Sequence, residues 1–268
     1  RVGVELPLSL FDDISKTTPM LANVRPSGTH LMEDLHAAGG VGALISELMP
    51  LLHDGAVTIT GRSIGESYKE ARIRNRAVIA SLDEPFQKAG SLVVLLGKLC
   101  PDGAILKASA AAASLTKHRG RAVVFEDQRD LMRRIDRPDL DVDESSVLVL
   151  KNAGPIGAPG MPEWGHLPIP RKLLEQGVRD MVRISDARMS GTAYGTCVLH
   201  VAPESAVGGP LALVENGDEI ALDVAGRSLT LLVSAEELAE RRARWHPPAP
   251  KFTRGYGRLY LEHVSQAP

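Results

Sequence analysis

From Leu92 to Val233 the sequence is a succession of short β-rich runs separated by turn residues, and this pattern limits the fold more than any other feature. The runs are Leu92–Leu96, Ala104–Leu106, Ala122–Phe125, Val147–Leu150, Met181–Ile184, Val198–Val201, Leu211–Val214, Glu219–Val224 and Leu229–Val233. Strands this short bury enough apolar surface only by pairing with one another, which predicts a closed or nearly closed β-domain. The clearest piece is Asp218 to Val233, where apolar and polar residues alternate on both sides of Ala225-Gly226, the pattern of a β-hairpin with one buried face. Ser234 and Glu237 then match a capping box, opening a helix to about Arg244. A second helix is predicted from Pro170 to Gln176, with proline in its first turn and Gly177 ending it.

The first third is different in character. Ser9 to Ile14 has apolar groups at helical spacing, and Leu31, Met32, Leu35, Leu44, Ile45 and Leu48 suggest two helical pieces divided by Gly39-Gly40. Ala56 to Thr60 is a strand candidate, and Ile64 to Ile73 a further helix. The polar, proline-bearing stretch Ser81 to Gly90 marks a boundary. The expectation is an α+β chain in two parts, residues 1–85 and residues 86–268.

Those 268 residues suffice for one large domain or two ordinary ones. Lys plus Arg number 31 against 33 Asp plus Glu, a formal net charge of −2, so no sequence-wide attraction for nucleic acid or an anionic membrane exists. No apolar run reaches the ~20 residues that span a bilayer, and the first residues lack a secretory pattern. A soluble, cytoplasmic chain is expected, with neither nucleic acid nor membrane as partner. Cys100 and Cys197 are too few for a disulfide framework or a four-thiolate metal site. Opening on Arg1 and closing on Gln266-Ala267-Pro268, the chain reads as a piece of something longer.

Three stretches could carry chemistry. Gly154-Pro-Ile-Gly-Ala-Pro-Gly160 resembles a phosphate cradle, but Pro155 and Pro159 remove two of the N–H donors a cradle needs, and no Gly-Lys-Ser/Thr follows. A constrained loop is the better reading. It presents Met161-Pro-Glu163-Trp-Gly-His166, in which Glu163 and His166 have a metal-site spacing that Pro162 and Gly165 make unsuitable for a helix. A rigidly held Glu163 suits a hard cation, but from spacing alone a solvated loop carboxylate is the default reading. The third stretch, Ile184 to Gly195, follows a strand and contains Ser190 among small residues. The Gly-x-Ser-x-Gly pattern is absent because Arg188 occupies its first position. Ser190 could cap a turn; to act as a base it needs a metal or a cationic side chain nearby.

Longer motifs take the reading further. Glu33-Asp34 with Ala37-Ala-Gly-Gly40, Asn152 through Glu163, Asp186-Ala-Arg-Met-Ser-Gly-Thr192, and His200-Val-Ala-Pro-Glu204 with Gly208 through Val214 occur in order. Together they resemble the dihydroxy-acid dehydratase and sugar-acid dehydratase family, over essentially the whole chain but only the second half of the family's usual polypeptide.

The resemblance implies a C-terminal β-barrel-like domain similar to the swivelling domain of aconitase, preceded by the tail of an α/β domain. It implies a hydro-lyase that removes water from a 2,3-dihydroxy acid to give a 2-keto-3-deoxy acid, using an iron–sulfur cluster and Mg²⁺. Carried over by motif, Ser190 is the base, Thr192 lies beside it in the site, and Glu163 binds Mg²⁺. The cluster cysteines and remaining Mg²⁺ ligands belong to the missing first half, and neither Cys100 nor Cys197 matches one of them. This fragment alone is therefore expected to be inactive, whereas the full-length enzyme would be a homodimer or homotetramer. The residues around Ser190 and Glu163 look closer to the sugar-acid branch than to the branched-chain dihydroxy-acid enzyme. A non-catalytic domain that kept the barrel is the other reading, against which Glu163, Ser190 and Thr192 argue.

Overall fold

The computed structural model describes residues 3–159, 167–191 and 193–266. The chain divides into two compact units, one running from Asp12 to Ser91 and the other formed by the residues up to Phe11 with those from Leu92 onward.

Helices come first: α1 (Leu8–Thr17), α2 (Met32–Ala37), α3 (Gly40–Leu48) and α4 (Ile64–Tyr68). Gly39, at φ +122°, separates α2 from α3, as the glycine pair predicts. Helix α4 is capped reciprocally by Ser63 and Glu66. It stops at Tyr68, well short of the expected Ile73. The strand expected over Ala56 to Thr60 is a correction: that stretch makes one isolated bridge, Val57 to Ser63, around a tight turn. Its alternation has no partner strand to bury against, and Val57 and Ile59 are exposed. The core of this unit is Leu35, Ala38, Ala43, Val78 and Ile79.

The second unit is a closed eight-stranded barrel. Its strands are β1 (Val93–Gly97), β2 (Cys100–Leu106), β3 (Lys117–Phe125), β4 (Val147–Leu150), β5 (Arg183–Ser185), β6 (Cys197–Ala202), β7 (Glu219–Asp223) and β8 (Ser228–Leu231), arranged β1-β2-β6-β5-β4-β3-β7-β8. Strands β3, β4, β5 and β6 run parallel to one another, and the neighbouring pairs β1–β2, β2–β6, β3–β7 and β7–β8 are antiparallel. A single parallel contact, Leu96 with Ser228, closes the barrel. The mixed sheet and the helices around it make the chain α+β.

Burial follows pairing. Strand β7 alternates, with Ile220 and Leu222 buried between more exposed neighbours, as an antiparallel strand with one wet face should. All four residues of β4 are buried, because a parallel strand is covered on both sides. One apolar cluster takes alternate residues from all eight strands, including Leu95, Leu106, Val124, Val149, Ile184, Val198, Leu222 and Leu229. The other covers the opposite face of the parallel strands, where Val123, Phe125, Leu148, Leu150 and Leu199 meet α5 (Gln128–Arg134) and α6 (Arg171–Glu175) through Leu131 and Leu173. Helix α6 fits its expected start and stop. After β8 come α7 (Ala235–Arg244) and α8 (Gly255–His263), and Ser234 caps α7 by accepting the Glu237 N–H.

The run Leu211–Val214 is the second correction. It forms a 3₁₀ turn over Pro210–Leu213, since Pro210 lacks an N–H for a sheet and supplies the first residue of a turn instead. Leu211 and Val214 still reach the barrel interior.

Candidate functional site

Parallel neighbours need crossovers, because the chain must return from the end of one strand to the start of the next. The β4–β5 crossover carries Glu163 and the β5–β6 crossover carries Ser190. Both lean on the same apolar cluster, through Ala153, Leu167, Ala187 and Met189. Glu163, with its neighbours Trp164 and His166, and Thr192 lie outside the described residues.

Two buried carboxylates fasten these crossovers at the C-terminal ends of the parallel strands. Asp186, 1% exposed, accepts the N–H groups of Ala153 and Ser205, both at 2.8 Å. Burial raises its pKa, partly opposed by those two hydrogen bonds. Glu204, equally buried, accepts the Ile156 N–H at 3.0 Å. A Cβ at Gly154 would stand 2.4 Å from the Glu204 Oε2, so glycine alone lets the loop approach this carboxylate. The Ala158 N–H goes to the Gly154 carbonyl. The glycine–proline loop thus spends N–H groups on its own support, the constrained-loop reading, rather than offering them to a phosphate.

The far ends of both crossovers meet at Arg183, which is 3% exposed. Its guanidinium donates to the carbonyls of Leu167 at 2.9 Å and Tyr194 at 2.7 Å, and to Asp180 at 3.0 Å. Asp180 in turn accepts the N–H and hydroxyl of Thr196. Gly195 sits between them at φ +83°, where a Cβ would lie 2.3 Å from both Arg183 Nη2 and Asp180 Oδ1. One ion pair therefore locks the exit of the Glu163 loop to the exit of the Ser190 loop.

Ser190 is half-buried midway along its crossover, and the Ala193 N–H donates to its carbonyl. Cations flank it. On the preceding side, Arg188 Nη1 lies 2.9 Å from His200 Nδ1, while His200 Nε2 accepts the Met189 N–H at 3.0 Å. His200 reaches this position through a bulge in β6, where His200 and Val201 oppose the single β2 residue Ala104 and the His200 φ is +56°. Burial and Arg188 hold the His200 pKa down to about 4, so the ring is neutral at physiological pH. Burial also lowers the Arg188 pKa, against the pull of Glu204, Asp186 and Tyr260. On the following side, Lys107 Nζ donates to the Gly191 carbonyl at 3.0 Å.

The sequence reading asked for a cation near Ser190 without finding one; Lys107 is 84 positions away from Gly191, and only the β2–β6 pairing brings it close. Arg183 was missed too, because an arginine inside a strand pattern reads as a surface position.

Neither cofactor implied by the resemblance finds a complete site here. Among the described residues, no group of three or more His, Cys, Asp or Glu side chains is arranged to hold a metal. Cys100 and Cys197 are buried in different apolar clusters on opposite faces of the sheet. Burial pushes their thiols up to about 12 and about 11, unlike the thiolates a cluster requires.

Comparison with known proteins agrees with the motifs. The C-terminal model of the dihydroxy-acid/6-phosphogluconate dehydratases matches residues 77–268, and the N-terminal model matches residues 1–67. The whole chain aligns at 52% identity with 47% of a 6-deoxy-6-sulfo-D-gluconate dehydratase of Pseudomonas putida. It aligns at 48% identity with 46% of an L-arabinonate dehydratase of Rhizobium leguminosarum, and at 42% with 48% of a dihydroxy-acid dehydratase of Ignicoccus hospitalis. The chain spans about half the length of the curated relatives it matches. It belongs to the dihydroxy-acid/6-phosphogluconate dehydratase family.

Proposed function

We propose that the chain supplies the serine-bearing part of a hydro-lyase that converts a 2,3-dihydroxy acid into a 2-keto-3-deoxy acid. The observation that carries this reading is the setting of Ser190, held on a braced crossover between Arg188 and Lys107. A serine hydroxyl becomes a competent base only where positive charge favours its alkoxide. In the step assigned to it, Ser190 takes the proton from C2, the C2–H electrons form the C2–C3 double bond, and the C3 hydroxyl departs as water once protonated. The resulting enol tautomerises to the 2-keto acid. Thr192 is assigned to the same loop as a substrate contact.

Mg²⁺ and an iron–sulfur cluster remain the cofactors that the resemblance implies, and the described residues complete a site for neither. Glu163 is read as one anionic oxygen toward the cation, the other ligands coming from elsewhere. Residues 1–85 are read as the tail of an α/β domain, and residues 86–268 as a domain of the aconitase swivelling type, a reading supported by the barrel's mixed parallel and antiparallel closure. A sugar acid is the preferred substrate class, since the sulfogluconate and arabinonate dehydratases are more similar to this chain than the dihydroxy-acid dehydratase is.

The test is Ser190→Ala in the full-length protein, assayed for 2-keto-3-deoxy product over a panel of sugar acids and dihydroxy acids. Turnover should fall at least ~10²-fold, the usual contribution of a general base, with melting temperature unchanged. Normal turnover by the variant would remove Ser190 from the mechanism.

A further inference from the structure

We propose that Lys107 is a positioning residue for the serine base: its ammonium group holds the Gly191 carbonyl and sets a positive charge one residue from Ser190. The inference rests on the assignment of Ser190 as the base and adds to it the side chain that prepares that base.

The argument begins with where Lys107 stands. It follows the last residue of β2, whose Leu106 pairs with Val198 near the start of β6. The Ser190 crossover descends to that same end of β6, so the topology delivers the loop to the lysine. Lysine ordinarily extends its ammonium into water, yet Lys107 is half-buried and turned onto a backbone carbonyl. Lys107 also makes no ion pair with a carboxylate among the described residues. By contrast, Arg183 is paired with Asp180, and the charge of Arg188 feels Glu204 and Asp186.

A partly desolvated cation without a counter-ion is costly. Its field is correspondingly unspent, and negative charge developing on a neighbouring oxygen benefits from it strongly. The groups facing Lys107 do not supply that charge. Cys197 is the titratable side chain against it; the thiol is pushed up to about 11 by burial, with Arg183 and Asp180 behind it. On the other side of Ser190 stand Arg188 and the neutral ring of His200. Removing Lys107 would therefore take away the cation that follows Ser190 and leave Arg188 on the preceding side, its charge already interacting with two carboxylates.

The experiment compares Lys107→Met, Lys107→Arg and Ser190→Ala in the full-length protein, measuring kcat, KM, the pH dependence of kcat and the melting temperature. Lys107→Met should lower kcat about 10²-fold, comparable to losing one preorganised electrostatic group, with KM changed less than threefold. The rising limb of its pH profile should move upward by about one unit, because the alkoxide has lost a nearby cation. Lys107→Arg should recover kcat to within about tenfold of the parent.

Two results would overturn the proposal. In one, Lys107→Met keeps kcat within threefold. In the other, Met and Arg variants are equally impaired with the pH limb unmoved, which would make the lysine a filler of space. Either result, alongside an inactive Ser190→Ala, rejects the lysine and leaves the serine standing. A fully active Ser190→Ala rejects the serine and this inference with it.

Discussion

Replacing Arg183 with methionine should unfasten the two crossovers, and the structure sets the size of the effect. The side chain is 3% exposed and donates to Asp180, Leu167, Tyr194 and Met181. Breaking a buried ion pair by removing one partner costs about 3–5 kcal/mol, chiefly from the charge left behind. Here Asp180 is not stranded, because it keeps donors from Met181, Ala112 and Thr196. The loss therefore belongs at the low end, about 3 kcal/mol, most of it from the buried carbonyls of Leu167 and Met181, each worth roughly 1 kcal/mol or more when unsatisfied. Methionine fills much of the same volume, so little of that figure is cavity. A global unfolding curve is a poor probe for a chain of two units. Native-state amide exchange reads local opening instead, and peptides covering residues 181–198 should lose protection by about 10²-fold, while β7 and β8 change little. If protection across 181–198 fell less than fivefold, the reasoning that Arg183 locks the crossovers would be refuted.

Three further expectations follow from the same contacts. Gly195→Ala must adopt φ +83° and drive its Cβ into Arg183 and Asp180, so amide protection across residues 181–198 should drop at least ~10-fold; Gly191→Ala, with nothing among the described residues within 4 Å of its Cβ, is the neutral control. Glu163→Gln exchanges an anionic oxygen for a neutral amide and should weaken Mg²⁺ binding by the full-length protein about tenfold in calorimetry; unchanged affinity would deny Glu163 that role. His200 is held near 4 in the fold against an unfolded value near 6.5. The unfolded chain therefore binds the extra proton across that interval, and stability contributed by the neutral ring is present above about pH 6.5 and lost as pH falls toward 4. His200→Asn, which tolerates the positive φ, should flatten the acid side of the stability curve; an unchanged slope would contradict the assignment.

The fold was legible wherever a local pattern had one physical solution. The hairpin around Ala225-Gly226, the all-apolar run Val147–Leu150 and the helix before Gly177 follow their expected bounds to within a residue or two. Two strand readings failed for a common reason. Ala56–Thr60 and Leu211–Val214 have apolar content suited to a strand, but one lacks a partner and the other begins at a proline that cannot join a ladder. Pairing is a non-local property, and short apolar runs do not declare it. Helices α5 and α8 went unread because α5 is charged on one face and short, and α8 opens with two glycines, Gly255 and Gly257.

The site divides along the same line. Glu163, Ser190 and Thr192 were assigned because long motifs surround them, whereas the braces Arg183 and Lys107 lie outside those motifs. Arg183 lies between apolar neighbours and reads locally as the outward side of a strand; it is buried because the parallel sheet is covered on that face by the crossovers it holds. His200 points at the serine segment only through a bulge, which turns a strand residue off its alternating schedule. Lys107 meets Gly191 across 84 residues because β2 and β6 are neighbours in the barrel though far apart in the chain. A segment held on a crossover draws its supports from the strands beneath it, here β5 and β6 on either side of it in sequence and β2 from far away in the chain. The supporting residues were thus encoded by topology, and the closure β1-β2-β6-β5-β4-β3-β7-β8 is what converts a lone serine motif into a charged, braced site.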